Sequence, residues 1–158
     1  MPVVESSVVV PVDPATAFAV SQTTGPTRLS WDPFIRRQHF LDGATAPAKG
    51  VRTFTQHTSG MTMVSEYVSY APPSNVGMRM VTGPWFFTNL AGGWRFKATD
   101  GGTQATWKYS FGCRPAWLAP LAERIGTWLL QRDIDRRIAG FARGCADPRV
   151  LAAVRPTA

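Results

Sequence analysis

At 158 residues, 44% of them apolar, and with a formal charge of +7, the chain has the size of a single domain and a globular composition. It is long enough to bury about two-thirds of its unfolded surface, so a core needs no metal or disulfide staple. Disorder is excluded, and basic residues that pair only at Arg36-Arg37 and Arg136-Arg137 argue against nucleic acid as a partner.

Val3, Val4, Val8, Val9 and Val10 make the first eleven residues a strand, because β-branched side chains favour the pleated sheet. Asp13-Pro14 then opens a short helix to about Ser21, with Asp13 as its N-cap and Pro14 at the first helical position. Gly25-Pro26 breaks it, and a second short turn of helix covers Thr27 to Trp31. Strands follow at Phe34–Leu41, Val51–Thr58, Met61–Tyr70, Val76–Thr82, Trp94–Ala98 and Thr103–Gly112. Their turns sit at Asp42-Gly43, Ser59-Gly60, Ala71-Pro72-Pro73-Ser74-Asn75, Gly83-Pro84 and Asp100-Gly101-Gly102. One long helix from about Ala116 to Ala146 ends at Asp147-Pro148. This order describes one α+β domain over residues 1–147 with a tail over 148–158.

Glu5 stands where a signal peptide would carry a cation, and Pro11 ends the first apolar run. Glu123 and Arg124 interrupt the best apolar stretch, Leu118 to Leu130, so no transmembrane segment is expected and the location expected is cytoplasmic. Cys113 and Cys145, with a helix between them, would lie about 40 Å apart and remain reduced thiols. The positive charge favours anionic neighbours, either lipid headgroups or an acidic carrier protein. The chain is expected to be a monomer or a homodimer.

The long helix carries two apolar stripes. Leu121, Ile125, Trp128 and Leu129 share one face, and Ile134, Ile138, Phe141 and Cys145 share another about half a turn away. A kink near Gly126 or Gly140 would explain the shift, as would one half packing on the sheet while the other roofs a cavity.

If Ser59-Gly60 is a two-residue turn, Thr58 pairs with Met61, Gln56 with Met63, Phe54 with Ser65 and Arg52 with Tyr67. That register turns Phe54, Met63, Tyr67 and Arg52 inward, and His57 and Glu66 outward. In the last hairpin, Trp94, Phe96, Trp107 and Tyr109 alternate with polar residues and should also face in. With Trp31 and Trp128 they offer more rigid aromatic surface than a core of this size needs, so some should bound a pocket. An inward Arg52 would require a partner or a ligand oxygen, and Tyr67 or Tyr109 could donate to one. Arg79, between Met78 and Met80, alternates outward. No P-loop, dinucleotide fingerprint, metal-ligand spacing or nucleophile elbow occurs, and no cofactor or metal is expected.

Three segments carry a family resemblance: Val81-Thr82-Gly83-Pro84, Trp94-Arg95-Phe96, and Gly102-Thr103 with Trp107. The strand through Glu66 and Val68 to Ala71-Pro72-Pro73 adds to it. From Val8 to about Ala146 the chain resembles the SRPBCC or START-like superfamily, in its polyketide cyclase/dehydrase branch. That resemblance implies a helix-grip fold, a curved antiparallel sheet of about seven strands wrapped round the C-terminal helix, with a hydrophobic cavity beneath it. It also implies either a carrier of a small lipid, polyketide or isoprenoid-like molecule or an aromatase/cyclase or dehydratase. Arg79 occupies the position of a cavity arginine in the aromatase/cyclases, three residues before the Thr-Gly-Pro turn, and a bulge before Gly83 would turn it inward. Their second arginine falls near Ala71 and is missing. Two expectations follow. A binder would line its cavity with Trp31, Phe54, Met63, Tyr67, Trp94, Phe96, Trp107, Tyr109 and Trp128. An enzyme would use Arg52 or Arg79 to stabilise an enolate.

Overall fold

The computed structural model describes residues 1–155. Seven strands form one antiparallel sheet: β1 (Val3–Val10), β2 (Ile35–Phe40), β3 (Arg52–His57), β4 (Thr62–Ala71), β5 (Asn75–Thr82), β6 (Phe87–Thr99) and β7 (Gly102–Cys113). Their spatial order is β1-β7-β6-β5-β4-β3-β2, a meander closed on one side by the N-terminal strand. The sheet curls into a half-barrel, and the helix α3 (Ala119–Gly144) packs against β1 and β7. Two short helices, α1 (Pro14–Ser21) and α2 (Gly25–Trp31), lie between β1 and β2. The expected α+β helix-grip architecture is therefore the observed one.

At the start of α1, Pro14 takes the first helical turn, where a missing N–H costs nothing. The Asp13 carboxylate accepts from the Thr16 hydroxyl and not from a helical N–H. Strand β6 begins at Phe87, seven residues before the sequence signal at Trp94, because Asn89, Gly92 and Gly93 are poor strand formers held here by pairing with β7. Past α3 the chain does not trail away. The Asp147 carboxylate caps α4 (Pro148–Val154) by accepting from the Arg149 N–H at 2.8 Å, and Val150 is buried on the side facing α1. Of the expected tail, residues 156–158 lie outside the described residues.

The β3–β4 hairpin corrects the expected register by one residue. Arg52 pairs with Glu66, Phe54 with Val64 and Gln56 with Thr62, and the His57 N–H donates to the Met61 carbonyl at 2.8 Å. The loop thus has three residues, Thr58-Ser59-Gly60, with Gly60 at a φ of 96° that favours glycine. Because side chains alternate with a period of two, this slip reverses the face of every residue on β3. Thr53 and Thr55 turn to the buried concave side, while Arg52 and Phe54 turn to the convex side.

Helix α3 approaches α2 closely where it passes Trp31. A Cβ on Gly140 would stand 2.2 Å from the Trp31 carbonyl oxygen and 2.9 Å from Pro33 Cδ. These are mainly backbone positions and cannot yield by a rotamer change. Helix propensity alone would make Gly140→Ala stabilising by roughly 0.5–1 kcal/mol. The clash reverses the sign, and a loss of about 1–3 kcal/mol is expected, read as a lower urea midpoint at unchanged slope.

Candidate functional site

The space between the sheet and α3 holds two adjoining chambers. The inner one, about 50 Å³, is bounded by α1, α2, β2–β7 and α3. The outer one, about 70 Å³, lies under the β3–β4 hairpin between the β5–β6 loop and Leu130 of α3. Phe34, Thr55, Met63, Leu90 and Tyr109 line both, so these side chains form the partition. A third, polar depression near Thr23 and His39 shares Gln22, Arg28, Gln38 and Tyr67 with the inner chamber. The Tyr67 hydroxyl donates weakly to Gln22 Oε1 at 3.4 Å across that junction.

The inner chamber is polar at one side because three buried charges meet there. Arg28, on α2, donates from Nε to Asp32 Oδ2 at 2.7 Å, one helical turn further on. Arg137, on the buried face of α3, donates from Nε to the same oxygen at 3.1 Å, with its Nη2 at 3.0 Å. Arg28 also donates to the Ser21 carbonyl, and Asp32 Oδ1 accepts from the Phe34 N–H at 3.0 Å. Aromatic faces complete the shell: Arg137 lies 4.5 Å from the Trp107 ring and 4.9 Å from Phe34, and Arg28 lies 4.7 Å from Trp31. Two guanidiniums against one carboxylate leave an excess positive charge in a water-poor site.

The titrating groups respond accordingly. Burial alone would raise the Asp32 carboxyl, but Arg137 and Arg28 outweigh it and hold the group below its ordinary value. Burial lowers Arg28, opposed by Asp32 and reinforced by the like charge of Arg137. Burial pushes the Tyr67 phenol up to about 12, and it raises Tyr109 as well, so both hydroxyls stay protonated donors at neutral pH. Trp107 lines the chamber, and its buried Nε1–H makes no close, well-aligned hydrogen bond among the described residues. A ligand or water oxygen would satisfy it.

The outer chamber is apolar except at one edge. There His57 Nε2 meets Asp133 Oδ2 of α3 at 3.1 Å, while His57 Nδ1 accepts from the Ser59 N–H at 2.9 Å. With Nδ1 as the acceptor, Nε2 is the ring nitrogen directed at Asp133. The expected outward placement of His57 is corrected by the register slip; Glu66 does face outward.

The sequence-derived site residues separate into three groups. Met63, Tyr67, Trp94, Trp107 and Tyr109 line the inner chamber together. Phe96 and Trp31 are buried beside it as packing, both against Phe141, with Phe96 also stacked on Trp94. Phe54 and Trp128 lie outside: Phe54 stacks on His39 across the convex face, and Trp128 projects from α3 into solvent. Neither expected arginine turns its guanidinium inward. Arg52 is exposed and paired with Asp42 at 2.9 Å. Arg79 borders the inner chamber, but its guanidinium is exposed and paired with Glu66 at 3.2 Å on the convex side. A bulge does occur at Val81, where Val64 pairs with Thr82 and Ser65 with Met80. It lies past Arg79 and leaves the Glu66–Arg79 pair in place. Arg28, Asp32 and Arg137 were missed, although Arg137 falls within the Ile134, Ile138, Phe141 stripe and Arg28 stands four residues before Asp32.

A helix-grip domain enclosing an apolar cavity with a buried cationic wall is thus the class that fold and site define. The chain belongs to the family described as polyketide cyclase / dehydrase and lipid transport, whose model matches residues 1–145. None of the curated proteins matches it. Among solved structures, the Thermus thermophilus protein TTHA0849 superposes with a TM-score of 0.75 at 15% identity, covering 98% of this chain and 100% of that one. The Zhui aromatase/cyclase from Streptomyces sp. R1128 superposes at 0.74 with 16% identity, covering 92% and 93%. A START superfamily protein from Mycobacterium smegmatis gives 0.67 with 12% identity, covering 89% and 97%. These likenesses concern the fold.

Removing the central carboxylate should expose its role. Asp32→Asn leaves two buried cations without a counterion, and a loss of about 3–5 kcal/mol at neutral pH is expected by urea unfolding. The Asp32 carboxyl titrates below its ordinary value of 3.8. Its contribution is therefore complete above that value and lost as pH falls below it, through the folded value. Wild-type stability should accordingly fall more steeply than that of Asp32→Asn below about pH 4.

Proposed function

We propose that the domain binds a small amphipathic molecule, with an acidic or carbonyl oxygen against the Arg28–Asp32–Arg137 cluster and an apolar body extending into the outer chamber. The observation that carries this reading is the excess positive charge on the wall of an otherwise aromatic and aliphatic cavity. Tyr67, Tyr109 and the Trp107 N–H supply neutral donors beside it. Trp94, Met63 and Leu90 supply apolar area, worth roughly 25 cal/mol per Å² removed from water.

The two chambers are small against pockets of roughly 300–1,000 Å³ that enclose drug-sized ligands. Binding would join them by moving the partition, for which Met63 is well suited because its unbranched side chain repacks easily. The same wall supports a second reading, a cyclase or dehydratase acting on a poly-carbonyl chain. There the cationic cluster and the protonated tyrosines would stabilise an enolate oxygen. In that reading Tyr109→Phe suppresses turnover of a poly-carbonyl substrate while leaving its binding in place.

The test is binding of a long-chain fatty acid against its methyl ester, followed by tryptophan fluorescence. The acid should bind about tenfold more tightly, since charged hydrogen bonds in a dry site are the strong ones. Arg137→Met should erase that preference, and Arg79→Met and Arg52→Met should leave it intact. Equal affinity of acid and ester for the wild type would sink the cationic-anchor reading.

A further inference from the structure

In its N-terminal half, helix α3 leaves most of its large apolar side chains outside. There the small residues Ala122 and Gly126, with Leu130, face the sheet, Gly126 against the Phe111 ring. Leu121, Ile125, Trp128 and Leu129 look outward, Trp128 at 61% exposure. Trp117, just before the helix, is 80% exposed, and Trp85, in the β5–β6 loop, is 70% exposed. The two are held to one end of the molecule. The Arg114 N–H donates to the Phe86 carbonyl at 2.9 Å, and the Arg114 guanidinium donates to the carbonyls of Trp85 and Phe87.

This apolar surface adjoins the outer chamber. Pro84, next to Trp85, and Leu130, next to Leu129, line that chamber, and Met61 at its rim is itself exposed. Its flanks are cationic. Arg124, Arg132 and Arg136 are exposed on the same side of α3, Arg132 with its guanidinium 5.7 Å from the Trp128 ring. Asp135 is the exposed acid among them; Asp133 is engaged by His57, and Glu123 by the Cys113 N–H.

We propose that this end of the domain docks on the surface of an anionic lipid bilayer, placing the outer chamber against the membrane so that an apolar ligand passes between them. Tryptophans prefer the headgroup boundary, aliphatic residues the acyl region below it, and arginines the anionic phosphates. A second copy of the chain meeting the same face would bring the arginine rows together, whereas anionic headgroups neutralise them. No helix among the described residues is long and apolar enough to cross a bilayer, so this contact is superficial. The transfer step rests on the proposed ligand-binding function; the docking itself does not.

The experiment is cosedimentation of the full chain with vesicles of phosphatidylcholine plus phosphatidylglycerol, against phosphatidylcholine alone. Binding should require the anionic lipid and weaken with salt. Arg132→Glu should reduce it by more than the roughly fivefold expected for removing one surface arginine. The double change Trp128→Ser with Leu129→Ser should reduce it at least tenfold. The altered residues are exposed, so circular dichroism and fatty-acid binding in the absence of vesicles should be unchanged. That separates failure of docking from failure of the cavity reading. Absence of binding to anionic vesicles, undiminished binding of the double variant, or a solution dimer that the double variant dissolves would each overturn the proposal.

Discussion

The arrangement of this domain depends on one carboxylate shared by two arginines that arrive from different parts of the chain. Asp32 is fully buried, and no buried carboxylate remains ionised without close partners. Arg28 reaches it along one helical turn, but Arg137 lies 105 residues away on α3. The pair therefore fixes the position of the C-terminal helix relative to the short helices. It also fixes that helix's rotation, because Arg137 meets Asp32 only if Ile134, Ile138 and Phe141 face the sheet with it. The close pass of Gly140 over Trp31 is the steric counterpart of this electrostatic constraint.

The same interaction decides the character of the cavity. A wholly apolar interior would close by packing, as the Phe18, Phe96, Phe141 and Trp94 cluster does below it. A wall of charged and phenolic groups resists that collapse, because each group must keep its hydrogen bonds or lose stability. The cost of holding Arg28 and Arg137 away from water is offset by Asp32 and by the aromatic faces of Trp31, Trp107 and Phe34. What remains is a polar surface facing aliphatic side chains, the pairing on which the proposed amphipathic ligand rests.

The fold was legible in the sequence because its signals are local. Valines marked β1, Pro14 opened α1, the prolines at 72 and 73 ended β4, and the alternating aromatics of β6 and β7 declared their inner face. The site was less legible because its parts combine local detail with long-range contact. One residue in the Thr58-Ser59-Gly60 loop decided whether Arg52 or Thr53 faced inward, and composition does not distinguish a two-residue turn from a three-residue one with glycine last. Arg28 and Arg137 carried a local signal only as arginines spaced like core residues. Such spacing is usually read as a solvated edge until a buried acid is known to wait there.

The two stripes on α3 arise without any need for a kink, from a change in what the helix faces along its length. Its C-terminal half crosses the short helices and the closed side of the sheet, where large side chains fill the interior. Its N-terminal half crosses the open end of the half-barrel, where Ala122 and Gly126 let the backbone settle against the Phe111 side of β7. Before Leu130, large residues have no room beneath the helix and appear on top of it. An exposed patch of this size, bordered by arginines and lying over the cavity's apolar end, is unfavourable for an isolated protein in water. The sequence thus places an exposed apolar surface beside the apolar chamber under the β3–β4 hairpin, so that a bilayer covering the one would also reach the other.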